Sequence, residues 1–436
     1  MSEPHQPFLW RWTRRVYVTL FGVAMGLAAV DPARSEPAST DTVIKRTSES
    51  AHVRAIPLAG HGGEENWSSL RLLPDGRVLV GMSSRAGSGT LLRVDPETGE
   101  IEPVMRLDQA GHLTGVQRQP KIHVTPVPVA DGSYHFVSHF GLDTHLPLHG
   151  SRIGYEGMRW WRWHPQRGGD DLGLIHPGEG AVGLAATDGG ETLYVSTFPQ
   201  SLLFRLDTRT GEVSNLGRTN GVYAPRHIPI GPRQRPYVLD HRGRFWSLDD
   251  TGDHLVPTKT RLPRIDGVSG DVLAQGLVGL APAQDGGYYA AAAWGRLYRI
   301  MWDERDGLRV DALAMPVQHL TGLSADRRAS GPAATIAGLA EGPDGRLYLA
   351  VSGYNKAVDG SGDAFLLRCE SDGTGTELLT RIDGEQIQYL AGCQGGDLKR
   401  GRVLFVGCHM TGDSPSLFLI PTDTPDNPAR PGDDSS

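Results

Sequence analysis

Short apolar stretches alternate with turn residues along almost the whole chain. The recurring unit is an apolar strand, a turn that usually carries Asp-Gly, and a second apolar strand. The clearest copies are SSLRLLPDGRVLVGM (68–82), GAVGLAATDGGETLYVST (180–197), GLVGLAPAQDGGYYAAAA (276–293) and TIAGLAEGPDGRLYLAVS (335–352). Weaker copies occupy 121–139, 226–241 and 389–409. With Leu79, His135, Tyr194, Tyr237, Tyr289, Tyr348 and Phe405 as equivalent points, successive units lie 43 to 59 residues apart, a period that signals a propeller or solenoid. A third apolar strand follows in units such as GTLLRVDPETGE (89–100) and SLLFRLDTRTGE (201–212), with no helical period between strands. Seven units of three to four antiparallel strands predict an all-β fold, a seven-bladed β-propeller.

The two ends of the chain bear on closure. The last unit ends at Leu417–Ile420, and the polar, Pro-rich residues that follow cannot supply a fourth strand. The segment His52–Leu58 belongs to no unit and is expected to complete that blade, closing the ring with an N-terminal strand. Ahead of it, an Arg-rich start, an apolar run from Val16 to Val30 and small residues through Ser35 have the order of an export signal. The expected organisation is a signal peptide at 1–35, a linker and closing strand at 36–60, the propeller at 61–421 and a disordered tail at 422–436. A periplasmic or secreted monomer follows, free of the membrane once the signal is removed.

Composition sharpens this picture in three places. Gly (57) and Pro (30) make about one residue in five of 436, too few for a low-complexity chain, and the repeats explain the Gly as punctuation. A net charge of -7 with no basic run argues against nucleic acid as a partner. Three cysteines, Cys369, Cys393 and Cys408, exclude a disulfide scaffold and lack paired metal-ligand spacing, so they are expected to be buried packing residues.

The histidines carry the candidate chemistry. In a propeller blade the first strand starts, and the second ends, at one axial mouth. Second-strand ends fall at Ser83, His139, Phe198, His241, Ala293, Ser352 and His409. First-strand starts fall at Asn66, His123, Glu179, Arg226 with His227, Gln275, Thr335 and Gln388. The second unit is the richest, with Lys121 and His123, then His139, then an insertion carrying His145, His149 and Tyr155. His135 matches Tyr or Leu elsewhere and is expected to be packing.

The sequence has no G-x-S-x-G, P-loop or HExxH motif, and Glu179 is the only carboxylate placed at the mouth, where a glycosidase needs two. The set fits β-elimination from a uronic acid better. One imidazole removes the C5 proton, a second imidazole or a tyrosine protonates the departing C4 oxygen, and a cation neutralises the adjacent carboxylate. His123 and His139 are the expected base and acid pair, Tyr155 or Tyr223 the substitutes, and Arg226 the neutralising cation. Lys121, His145, His149, Glu179, Tyr223, His227, His241, Gln275 and His409 are the expected substrate contacts.

Lys121-Ile-His123 followed by His139 resembles the two-histidine arrangement of the seven-bladed β-propeller polysaccharide lyases, a group that includes ulvan lyases and rhamnose-glucuronate lyases. The repeat that covers residues 66–420 is shared by many propellers. The resemblance implies an exported carbon-oxygen lyase acting on an acidic polysaccharide or oligosaccharide. Two alternatives stay open. One is a lactonase or virginiamycin-B-lyase-like propeller with a divalent cation held by Glu179, Asn66, His227 and Gln275. The other is a non-catalytic propeller that binds glycan or protein.

Overall fold

The computed structural model describes residues 45–46, 54–66, 68–84, 87–141, 155–219, 226–263, 277–292, 295–303, 307–314, 316, 334–342, 344–353, 364–382, 389–391, 402–408 and 415–421. The segments read as signal peptide and tail lie outside them. The described strands form seven sheets, one for each repeat. Sheet 1 runs Leu70–Leu72, Val78–Met82, Thr90–Val94 and Ile101–Arg106 as an antiparallel meander. Sheets 3 and 5 repeat this order from Gly180–Ala186 to Val213–Arg218 and from Leu277–Pro282 to Gly307–Ala312. In sheet 2 the first strand is split into Lys121–Ile122 and Val127–Pro128, both paired with Tyr134–His139.

The expectation of seven blades is corrected at sheet 4, which among the described residues has three strands, Val238–Leu239, Arg244–Leu248 and Leu255–Arg261, and no inner one. The other six sheets have four or five, so the ring has six full blades and one reduced sheet. Where sheet 4 needs an inner strand, Pro229, Pro232 and Pro236 stand, and a proline has no N–H to give a ladder. One bridge between Ile230 and Pro236 replaces the strand.

The equivalent points of the repeats hold in the register. Leu79, Tyr194, Tyr289 and Tyr348 pair across the ladder with Arg93, Arg205, Arg299 and Arg368, and His135 pairs with Arg162. Each arginine lies on a third strand and meets a carboxylate: Arg93 meets Glu102, Arg299 meets Asp285, and Arg368 meets Glu377 at 2.7 Å. Arg299 also lies over the Tyr289 ring, 4.7 Å from its centre.

Shared cores join the sheets into a closed ring. One apolar cluster links sheets 1, 2 and 3 through Leu79, Phe136, Trp161 and Val195. Others link sheets 3 and 4 through Tyr194 and Val238, sheets 4 and 5 through Phe245 and Tyr298, and sheets 5 and 6 through Leu297 and Leu349. Sheet 6 packs on sheet 7, whose Leu417 and Leu419 reach Leu70 and Val80 of sheet 1. Each fully buried aliphatic or aromatic side chain contributes about 1.5–3 kcal/mol relative to leaving it in water.

Closure follows the expected route. Arg54–Pro57 pairs antiparallel with Ser416–Pro421 and completes sheet 7. A second N-terminal pairing was not expected: Lys45–Arg46 runs parallel to Glu377–Ile382 on the outer edge of sheet 6. Cys369 is free and buried, and burial pushes its thiol up to about 12, as fits a packing residue.

The two ends of the ring differ. At one end lie the Asp-Gly turns, where Gly76 (φ +88°) and Gly345 (φ +74°) take the left-handed backbone that a side chain disfavours. Asp75 and Asp344 accept hydrogen bonds there from the N–H of Arg77 (3.0 Å) and Arg346 (3.2 Å), so the turns satisfy themselves. At the other end, the mouth, first and third strands begin and second and fourth strands end. Among the described residues no helix is long and apolar enough to cross a membrane.

Candidate functional site

Sheet 2 brings His123 and His139 together at the mouth. Lys121 and His139 are cross-strand partners, and alternate residues of a strand share a face, so His123 falls diagonally beside His139. The two rings meet edge to face with centres 5.2 Å apart. Both residues are buried, His123 at 3% exposure and His139 at 6%.

Ser68, at the mouth end of sheet 1, sets the protonation of His123. Its hydroxyl donates to the His123 carbonyl at 2.6 Å, while Oγ lies 3.2 Å from His123 Nδ1. A hydroxyl has one proton, so Nδ1 carries the ring proton and donates to Ser68, and Nε2 keeps its lone pair. Burial holds the His123 ring well below the usual imidazole value of 6.5, and the charges of Lys121, then Arg226, then His139 push it further down. Two cations therefore act on a neutral histidine.

His139 is wedged from its other side. Its ring stacks on Phe140 with centres 3.9 Å apart, and Phe140 meets Phe198 of sheet 3 at 5.7 Å. Gly180 opens sheet 3 against this stack. A Cβ at Gly180 would lie 2.3 Å from His139 Nδ1 and 2.7 Å from Phe140 Cδ1. Gly180→Ala is therefore expected to cost about 1–3 kcal/mol of stability by overpacking and to displace the His139 ring. Thermal denaturation together with the imidazole resonances of His139 checks this; an unchanged spectrum at unchanged stability would count against the contact.

The remaining expected residues divide into three groups. Lys121 is buried beside the pair, and the half-buried Arg226 acts on both His123 and His227. Tyr155 is buried; its hydroxyl donates to Gln119 Oε1 at 3.3 Å and its ring lies edge-on to Phe140. Glu179 is committed to sheet 3, accepting from Thr197 Oγ1 (2.6 Å), Gln200 Nε2 (2.9 Å) and the Gln200 N–H (3.2 Å). His227 Nε2 donates to the Val278 carbonyl at 3.1 Å, and desolvation of its ring, aided by Arg226, holds it down to about 4. His241 is half-buried at the mouth end of sheet 4. His145, His149, Tyr223, Gln275 and His409 lie outside the described residues.

Of the residues named for a divalent cation, Glu179 and His227 do not come together with a third His, Cys, Asp or Glu among the described residues. Among the described residues, no group of three or more His, Cys, Asp or Glu side chains is placed to hold a metal ion. Glu179 and the Nε2 of His227 are engaged as above, and Gln275 is not described. His135 is packing, as expected. Trp160 Nε1 donates to its Nδ1 at 3.0 Å, so its Nε2 donates to Ser133 Oγ at 3.1 Å, and burial holds the ring down to about 4.

Ser68 and Gly180 were invisible in sequence. A lone serine carries no pattern, and a glycine at a strand start reads as turn punctuation. Their role lies in contacts between neighbouring sheets.

The chain matches no protein-family model and no curated protein sequence. It is similar in fold to solved propellers. A catalytically inactive His-to-Ala variant of virginiamycin B lyase from Staphylococcus aureus, with quinupristin, aligns at a TM-score of 0.51 and 12% identity, covering 84% of this chain and 99% of that one. The structure of U3-55K aligns at 0.52 and 11%, covering 85% and 98%. The β-propeller domain of Cps50 (Swd1) from Myceliophteria thermophila aligns at 0.53 and 10%, covering 82% and 96%. At such identities the likeness speaks for fold alone, and it agrees with the sheets described above: the chain is a β-propeller.

Proposed function

We propose that this protein is an exported carbon-oxygen lyase that cleaves an acidic carbohydrate by β-elimination at the mouth of sheet 2. The observation that carries the proposal is the His123 and His139 pair, with the proton of His123 held on Nδ1 by Ser68. That tautomer supports His123 as the base and His139 as the acid. His123 Nε2, a lone pair on a neutral ring, takes the proton on the carbon next to the substrate carboxylate. The C–H electron pair becomes a C=C bond as the C–O bond to the leaving group breaks. His139 supplies the proton that the departing oxygen takes up, so one proton moves from carbon to oxygen and the products keep the unsaturation.

Lys121 and Arg226 suit the carboxylate. Both act on His123 electrostatically, and a carboxylate bound beside them lowers the cost of the charge that builds on the enediolate-like state. Glu179 stays with Thr197 and Gln200 and takes no part.

A virginiamycin-B-lyase-like activity is favoured by one specific point. The solved neighbour is itself a lyase, and its His-to-Ala variant is catalytically inactive. The third alternative, a propeller that binds without turnover, draws on the fold alone, which this chain shares with U3-55K and the Cps50 (Swd1) propeller domain.

One assay separates the three. Purified protein is incubated with a panel of uronate-containing polysaccharides, and with virginiamycin B and quinupristin, each with and without a chelator. The ultraviolet absorbance of an unsaturated uronate is followed in the first arm, and loss of the intact compound in the second. We expect absorbance to rise on at least one uronate polymer and to survive chelation. Activity confined to the second arm would transfer the site to the virginiamycin-B-lyase-like reading. Silence in both would leave a binding propeller.

A further inference from the structure

Polar groups left unsatisfied inside this ring are not scattered. Among the described residues, the buried side-chain polar atoms with no hydrogen-bond partner lie at mouth ends of strands, save for the indole nitrogens of Trp161 and Trp302. The turn end, by contrast, satisfies itself through its aspartates. On sheet 1 the unsatisfied atoms include Asn66 Oδ1, Ser83 Oγ and Ser88 Oγ, on residues 0%, 5% and 3% exposed. On sheet 3 they are Ser201 Oγ and Thr219 Oγ1, each on a residue 2% exposed. Native interiors pair nearly all such groups, and the exceptions call for a cause such as an absent ligand or water.

Their placement is specific. Ser83 bridges Glu65 on one side and Lys121 on the other, and Lys121 pairs with His139. Cross-strand partners share a face, so the Ser83 hydroxyl belongs to the same row as the histidine pair. On the far side, the Thr219 N–H donates to the Ser201 carbonyl at 3.1 Å, which sets the two hydroxyl-bearing residues side by side. Ser201 follows closely on Phe198, whose ring touches Phe140. Unsatisfied hydroxyls and an amide oxygen thus flank the histidine pair on both sides, in sheet 1 and in sheet 3. The Asn66 oxygen cannot turn away, because its Nδ2 is fixed by the carbonyls of Gly81 (2.6 Å) and Ser69 (3.0 Å).

We infer that these groups are two hydrogen-bonding subsites for a linear, hydroxyl-rich oligosaccharide that crosses the mouth from sheet 1 to sheet 3. The ligand is taken as a chain because the unsatisfied groups belong to two different sheets, one on each side of the histidine pair. With subsites on both sides of the pair, cleavage falls within the chain and releases oligosaccharides. The direction of cleavage rests on the lyase reading above; the binding of the chain does not.

The hydroxyls make the test sharp, because their two explanations predict different things. Thr219→Val and Ser201→Ala remove a hydroxyl at nearly constant shape. A buried hydroxyl with no partner is a cost to the free protein, so both variants are expected to melt at or above the temperature of the parent. If the hydroxyl is a ligand contact, the same variants bind more weakly, by about fivefold for one neutral hydrogen bond. Binding of uronate di-, tetra- and hexasaccharides is measured by calorimetry in the His123→Ala background, and with Ser83→Ala for the other flank. We expect the hexasaccharide to bind more tightly than the disaccharide, and each hydroxyl variant to lose about fivefold on the hexasaccharide. Equal affinity for all lengths, unchanged affinity in the variants, or no binding at any length overturns the subsites. Turnover of a polymer with none of these effects leaves the lyase standing without them. Length-dependent binding that the variants weaken, with no turnover on any uronate, leaves the subsites and removes the lyase.

Discussion

His123→Ala is expected to lower kcat by about 10²–10⁴-fold on whichever uronate polymer is cleaved, the usual contribution of a positioned general base. The pH dependence distinguishes a base from a packing residue. The base must be neutral, and His123 in the folded chain sits well below 6.5, so the acid limb of kcat/KM lies well below 6.5 as well. Two of its depressing causes are the charges of Lys121 and Arg226. A substrate carboxylate bound beside them offsets those charges and lets the His123 value rise, so the acid limb of kcat lies at higher pH than that of kcat/KM. Steady-state rates across pH 4 to 9 read both limbs. A single limb near the unperturbed imidazole value in both parameters would take His123 out of the role.

The same burial has a sign for stability. Below about 6.5 the His123 of the unfolded chain takes a proton that the folded chain refuses, so the unfolded state gains as pH falls. The folded protein therefore loses stability on acidification from that point, and His123→Ala loses less of it. Buried His135, held down to about 4, acts in the same direction between about 6.5 and 4.

How much of this was legible in the chain depends on whether the cause was local. The repeat spacing placed Leu79, Tyr194, Tyr289 and Tyr348 at equivalent points, and each pairs with a third-strand arginine, because a ladder preserves the phase of its strands. His123 and His139 were legible for the same reason: a strand start and the end of its neighbour meet by construction. Sheet 4 was not, although its prolines are in plain view. The unit's equivalent point, Tyr237, lies one residue ahead of the strand, and the repeat spacing carries no sign of the missing ladder donors. Lys45–Arg46 has no signal at all, since two polar residues on an outer edge have neither period nor apolar content. Ser68 and Gly180 act across sheet boundaries, on His123 and His139, and no periodicity within one unit reports on the next.

Removing residues 45–58 is expected to abolish the folded monomer. The N-terminal segment carries the strand that ends the ring, and without it Ser416–Pro421 becomes a bare edge with Leu417 (0% exposed) and Leu419 (6%) beside it. An exposed apolar edge pairs with other chains. The segment is also bound beyond its ladder. The Leu58 N–H donates to the Pro415 carbonyl at 2.9 Å, and Arg54 Nη1 donates to the carbonyls of Pro96 (2.9 Å) and Glu97 (2.8 Å) in a turn of sheet 1. Arg54 therefore ties sheet 7 to sheet 1 at the turn end, while Leu58 fills the core between them. Leu58→Ala, which leaves the strand in place, is expected to cost about 2–5 kcal/mol, because Leu58 is fully buried among Leu70, Val80 and Leu417. The two variants differ in kind. The point variant melts earlier but as one cooperative monomer, whereas the deletion runs as aggregate or larger species in size exclusion and loses its melting transition. A synthetic peptide of residues 45–60 supplied to the refolding deletion chain should restore the monomer, since the ladder with Ser416–Pro421 needs proximity and not covalent connection. If the deletion chain stays monomeric with the parent's melting temperature, the N-terminal strand is an ornament on a ring already closed by the packing of sheet 7 against sheet 1.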